Sequence, residues 1–198
     1  MIAVKIPECI SEEENLLRTI FSPMHINGKG KPRPACLKPM TKERDEDDPS
    51  RMNNKVSVSR LDYAGWQFCL NHARNNQNGS KTFCGFLKLL VKKVRDIGLQ
   101  VKCKPVEDNP YHANIIFPDI VKPHEDELDE LESARIQLTL RNLLNSGQFV
   151  SVEEADLLAS QEHTNNVMNG HTGGSTENVS LSNSNCLWKR ILRFLCLR

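Results

Sequence analysis

Proline and polar low-complexity runs decide where this chain can build a core. Pro23, Pro32, Pro34, Pro39 and Pro49 fall within one stretch, 22–55, with Gly28 and Gly30 among them. Proline fixes φ and has no backbone N–H to donate, so this stretch predicts a long irregular segment. Residues 161–185 are dominated by Asn, Ser, Thr and Gly, with only Val167, Met168, Val179 and Leu181 apolar. Such a composition buries too little surface to offset ordering entropy and predicts a flexible linker. Regular structure must come from the segments in between.

Those segments predict both helices and strands. Ser11 and Glu14 fit a capping box, and Leu16, Leu17, Ile20 and Phe21 follow at helical spacing, so a helix is expected to run to Pro23. Val56 and Val58 alternate with polar neighbours, which predicts a short strand, and 62–76 suits a helix opened by Asp62. Phe83, Phe86, Leu87, Leu90, Val91, Val94 and Ile97 recur at three- and four-residue steps. They predict the best helix of the chain, 82–97, closed by Gly98. Leu99, Val101 and Cys103 alternate as a strand, and His112 to Phe117 is a second strand candidate. Asp108-Asn109-Pro110 supplies turn chemistry between them, so the two are expected to pair as a hairpin. Residues 125–145 read as a helix with an acidic start. After Ser146-Gly147, Ser151 and Glu154 form another capping box before a further helix, giving a helical hairpin.

Charge is unevenly spread. The 198 residues carry 26 Lys plus Arg and 25 Asp plus Glu, yet 125–162 holds two basic and ten acidic side chains. That net charge of -8 opposes phosphate and argues against DNA reading by the helical hairpin. The basic residues lie in the preceding body and in the last stretch. No run reaches the roughly 20 apolar residues of a membrane-spanning helix. Seven cysteines, an odd number with scattered spacing and no CxxC, predict reduced thiols. The first residues lack the apolar core of a secretion signal, so a cytoplasmic location is expected.

The last thirteen residues form the most distinctive segment. On a helix, Leu187, Trp188, Ile191, Leu192, Phe194, Leu195 and Cys196 share one broad face, while Lys189, Arg190 and Arg193 share the other. Trp, Phe and Leu opposite Lys and Arg is the pattern of an interfacial helix. An anionic membrane surface, a groove on a partner protein, a second copy or the chain's own core could each receive it.

Histidines supply the candidate chemistry. His25 sits in the proline-rich segment, His72 on the 62–76 helix, and His112 opens a strand. Two imidazoles with a cation, Arg60 or Lys38, could cleave RNA without a metal, one handling the 2′-hydroxyl proton and one the leaving oxygen. A zinc site from Cys69 and His72 with Cys84 or Cys103 lacks a second close pair of ligands. Lys29, Lys31, Arg33 and Lys38 could touch anions, but Gly28 and Gly30 stand outside any phosphate-loop frame. No cofactor or metal is expected.

Together these readings predict an α+β protein: a small mixed domain over 1–121 with a short sheet and packed helices, an acidic helical hairpin over 122–160, a flexible linker over 161–185 and a basic amphipathic helix over 186–198. The expected function is that of a non-enzymatic interaction or regulatory protein. Its tail would recruit it to a protein partner, a second copy or the inner face of a membrane. The alternative is a small ribonuclease-like effector using His25, His72, His112 and Arg60, with nucleic acid as partner.

Overall fold

The computed structural model describes residues 6–39, 54–117 and 130–170. They form an α+β fold built on a six-stranded sheet. In chain order the elements are β1 (Asn15–Ser22), a 3-10 turn (Pro34–Leu37), β2 (Lys55–Arg60), α1 (Leu61–Asn75), β3 (Thr82–Leu90), α2 (Val91–Asp96), β4 (Gln100–Cys103), β5 (His112–Ile116), α3 (Glu130–Ser146), β6 (Gln148–Ser151) and α4 (Val152–Gly170). The strand order is β4-β5-β2-β1-β3-β6, and every pairing is antiparallel. The chain divides into a unit over Met1–Thr164, which holds the whole sheet, and a second over Asn165–Arg198.

Two expected helices are strands. Half of the expected capping box forms, Ser11 N donating to Glu14 Oε1 (2.7 Å), but the Ser11 hydroxyl accepts from Glu13 N (3.3 Å) and Glu14 N donates to Ser11 O (3.3 Å), so the residues close a turn ahead of β1. The apolar set of β1 then divides between the faces of the sheet. Leu16 and Ile20 enter one core and Leu17 the other. β3 does the same, with Leu87 and Leu89 on one side and Phe83 and Phe86 on the other. Both strands are central in the sheet, so neither shows the polar alternation of a half-buried strand. Positions i and i+4 share a face in a strand as well as in a helix, which is why the spacing points to helices. Only the end of the expected 82–97 helix is helical, as α2. Gly98, at φ 88°, closes it, its N–H donating to Arg95 O (2.8 Å).

The shorter elements follow the sequence more closely. β2, α1 and the β4–β5 hairpin lie where alternation and turn chemistry put them. The expected helical hairpin of 122–160 contains a strand: β6 separates α3 from α4 and pairs with β3. Glu154 N donates to Ser151 Oγ (3.2 Å) at the start of α4, the hydroxyl half of the expected capping box. The 161–185 stretch, expected to be a flexible linker, begins as helix, because α4 continues to Gly170. The rest of that stretch and the expected amphipathic helix at 186–198 lie outside the described residues.

Helices cover the two faces unequally. Leu140 and Leu143 of α3, Val91 and Val94 of α2, and Cys36 and Leu37 of the 3-10 turn pack on one face against Leu16, Ile20, Val56, Val58 and Ile115. On the other face Cys69, Leu70 and Ala73 of α1 and Ala155 and Ala159 of α4 pack on Leu17, Phe83, Phe86 and Val150. This second core involves β1, β3 and β6 and stops short of β5. There the register aligns His112 with Ser59, and Asn114 with Ser57. Alternation along β2 and β5 gives these four polar residues one common face.

Candidate functional site

A cleft of about 390 Å³ lies at that polar patch. Ser57 and Val56 of β2 and His112 and Asn114 of β5 line it, with His72 and Asn76 from the end of α1. Arg18 of β1, Lys38, Lys55 and Lys104 add four cations, and Asp108 is the one acid among the described lining residues. A second hollow of about 320 Å³ shares Arg18, Ser57, His72, Asn76, Asn109 and His112 and adds Lys81 and Phe21. The two hollows share these six residues and together are lined by five basic ones, Arg18, Lys38, Lys55, Lys81 and Lys104.

Several side chains are held in place by the fold. Arg18 donates from Nε to Cys36 O (2.9 Å) and from Nη1 to Ser57 O (3.0 Å), which ties β1 to the 3-10 turn and to β2. Asn109 is buried, donating from Nδ2 to Ser59 Oγ (2.9 Å) and accepting from Tyr111 N at Oδ1 (3.1 Å). It fixes the turn that delivers His112 to β5.

The hydrogen bonds also fix the imidazole tautomers. His112 Nδ1 lies 2.7 Å from Lys104 O. A carbonyl only accepts, so Nδ1 carries the proton and the neutral ring has its lone pair at Nε2. Burial lowers the proton affinity of His112, and the charges of His72 and Lys104 act the same way, against the Lys104 carbonyl and Asp108. His72 is the complement. Asn76 Nδ2 donates to His72 O (2.9 Å), which identifies that atom as the amide nitrogen, and the same nitrogen lies 3.2 Å from His72 Nε2. His72 Nε2 therefore accepts and Nδ1 carries the proton. Phe68 stacks parallel to the His72 ring, centroids 6.0 Å apart, and meets Tyr111 edge-on at 4.9 Å.

Of the four residues expected to act together, His72 and His112 meet in the cleft. Arg60 and His25 are absent from its lining. Arg60 has no exposed surface and forms a two-pronged pair with Glu14, Nε to Oε2 at 2.8 Å and Nη2 to Oε1 at 2.9 Å. Its Nη1 donates to Pro7 O and Cys103 Sγ, and the guanidinium covers Tyr63 at 4.5 Å. Four of its five N–H donors are committed and none of its surface is exposed, so Arg60 anchors the stretch before β1 and is closed to a ligand. His25 is buried in the loop after β1, its Nδ1 accepting from Phe21 N (3.1 Å). Burial, then Arg18, Arg33 and Lys81, push its pKa down to about 4. Lys38, the other expected cation, does line the cleft.

Arg18, Lys55, Lys81 and Lys104 escape a sequence reading because they are scattered over four segments. The one signal that could find the site is the alternation of Ser57, Ser59, His112 and Asn114 on the polar side of two strands. As for metals, burial pushes the Cys69 thiol up to about 12 and the Cys36 thiol to about 11, so both stay protonated. No group of three or more His, Cys, Asp or Glu residues that could hold a metal ion occurs among the described residues. Cys9, Cys36, Cys69, Cys84 and Cys103 are free thiols.

No family model, no curated protein and no solved structure matches this chain.

Proposed function

We propose that this protein binds single-stranded RNA through the cleft between the end of α1 and the polar face of β2 and β5. One observation carries the reading: Arg18, Lys38, Lys55, Lys81 and Lys104 line two hollows that share six residues, where Asp108 is the one acid among the described lining residues. Clustered cations favour a polyanion, and phosphate neutralisation supplies most of the affinity of such an interface. The volume suits a nucleotide-sized group, and Asn76, Asn114 and Ser57 offer polar groups beside the cations. Phe68 and Tyr111, both partly exposed, provide aromatic surface next to His72 for an unstacked base.

The test is fluorescence anisotropy with a labelled oligouridylate at several salt concentrations, for the wild type and for Lys81→Glu with Lys104→Glu. Affinity is expected to fall with salt. The logarithmic slope should drop by about 0.7 for each phosphate that the variant no longer neutralises. Free uridine monophosphate should compete weakly. Equal binding by wild type and variant, or none at low salt, overturns the proposal. Stronger competition by the mononucleotide would assign the cleft to a small phosphate ligand instead.

A second reading is favoured by the sequence of the tail. Leu187, Trp188, Lys189, Arg190, Ile191, Leu192, Arg193, Phe194 and Leu195 suit an amphipathic helix that binds an anionic membrane surface, a protein partner or another copy. In that reading the body is cargo, and the tail sets where it acts, at the cytoplasmic face of a membrane or on a partner. Among the described residues no helix is long and apolar enough to cross a membrane.

A further inference from the structure

We infer that the cleft cleaves the RNA it holds, without a metal ion, with His112 Nε2 as general base and His72 Nδ1–H and Arg18 as donors to the phosphate. This inference rests on RNA binding at the cleft. It differs from the sequence expectation in both cation and roles, because tertiary hydrogen bonds now assign them.

The carbonyl of Lys104 holds the His112 ring by Nδ1 and leaves the lone pair at Nε2. A base must be unprotonated when substrate arrives, and burial with nearby positive charge favours that form. The arrangement around His72 is opposite in sense. Asn76 donates to its Nε2, which places the ring proton on Nδ1, and Phe68 backs the ring. His72 therefore carries a donor nitrogen and His112 an acceptor nitrogen, and both residues line the same two hollows. Arg18 belongs to the lining they share, two of its nitrogens anchored on Cys36 O and Ser57 O and its proton affinity lowered by burial, and its guanidinium is the cation assigned to the phosphate.

The step balances without a co-reactant. His112 Nε2 takes the 2′-hydroxyl proton as the 2′-oxygen bonds to the adjacent phosphorus. The negative charge that grows on the non-bridging oxygens meets His72 Nδ1–H and Arg18. The bond from phosphorus to the 5′-oxygen breaks, and the departing oxygen takes, through water, the proton held by His112. The products are a 2′,3′-cyclic phosphate and a free 5′-hydroxyl, and the His112 ring returns to its neutral form.

The experiment uses the full chain, EDTA, and two labelled strands: DNA with one internal ribonucleotide, and the same strand all deoxy. Binding is read by anisotropy and cleavage by gel. Expected is a cut only at the ribonucleotide, ending in a cyclic phosphate. The His112→Ala rate should be lower by at least about 100-fold. Added imidazole should recover part of that rate, which also shows that the variant is folded. Binding of the ribonucleotide strand without cleavage overturns the cleavage inference and leaves RNA binding standing. Failure to bind or cut the ribonucleotide strand overturns the cleavage inference, while the oligouridylate titration decides RNA binding separately. Equal cleavage by wild type and His112→Ala, or loss of the cut in EDTA, also overturns the inference.

Discussion

At the scale of residues, burial gives His25 and Arg60 structural tasks, although their residue types suggest catalysis. His25 is 9% exposed and stays neutral in the fold, with a pKa of about 4 against 6.5 for an unperturbed imidazole. A depressed folded pKa means that the unfolded chain takes up the proton first. Stability is therefore whole above pH 6.5 and is lost as pH falls from there towards 4. The loss at pH 5 should be about 2 kcal/mol from this residue alone. Urea unfolding at pH 7 and pH 5 checks it: His25→Asn, which cannot be protonated, should lose less stability than the wild type over that interval. An equal loss would mean that another group carries the acid sensitivity. Arg60 shows a related effect. Its charge is solvated by Glu14 rather than water, a pairing between residues 46 positions apart that no local pattern announces.

At the scale of elements, the strands that resemble helices in sequence share one property. Leu16, Leu17 and Ile20 in β1 and Phe83, Phe86 and Leu87 in β3 feed two cores, one on each face. A chain buried on both sides loses the period-two signal, and what remains of its spacing fits a helix equally well. The edge pair β4–β5 keeps its alternation and is legible. Gly85 shows what the central position demands. It lies at φ 133°, beside the register shift between Ile20 and Phe21, and a β-carbon there would collide with the Val150 carbonyl oxygen. Gly85→Ala should therefore cost about 2–4 kcal/mol through strain and separation of β6 from β3. Chemical denaturation measures this; a change under about 0.5 kcal/mol would show that β6 gives way freely. In α1, Gly65 at φ 71° breaks the helix, and Glu162 of α4 accepts from Trp66 N (2.9 Å) where helical bonding restarts. Arg74 and Asp156 join the same two helices at 2.7 Å.

At the scale of the whole molecule, the sheet and both cores lie within residues 10–159, and the oily, cationic tail lies beyond them. Burial of its apolar face would drive tail binding, and each cation near an anionic surface would add about 1 kcal/mol. Trp188→Glu with Leu192→Glu should abolish flotation with phosphatidylserine vesicles and leave the thermal midpoint within about 2 °C of wild type. Flotation unchanged by the substitutions sinks membrane recruitment. A large fall in the midpoint would instead mean that Trp188 and Leu192 pack on the body.

Composition and local pattern by themselves determined an α+β chain, the β4–β5 hairpin, α1, the Gly98 stop and a polar approach to a distinctive tail. Those features depend on neighbours within a few positions, where capping, turn chemistry and one-sided burial leave a readable trace. Tertiary structure alone decided that β1 and β3 are the inner strands, that Arg60 belongs to Glu14, and that Arg18, Lys81 and Lys104 stand beside His72 and His112. Strand pairing brings together residues tens of positions apart, and the energy of that pairing is spread over partners that a local reading never sees side by side.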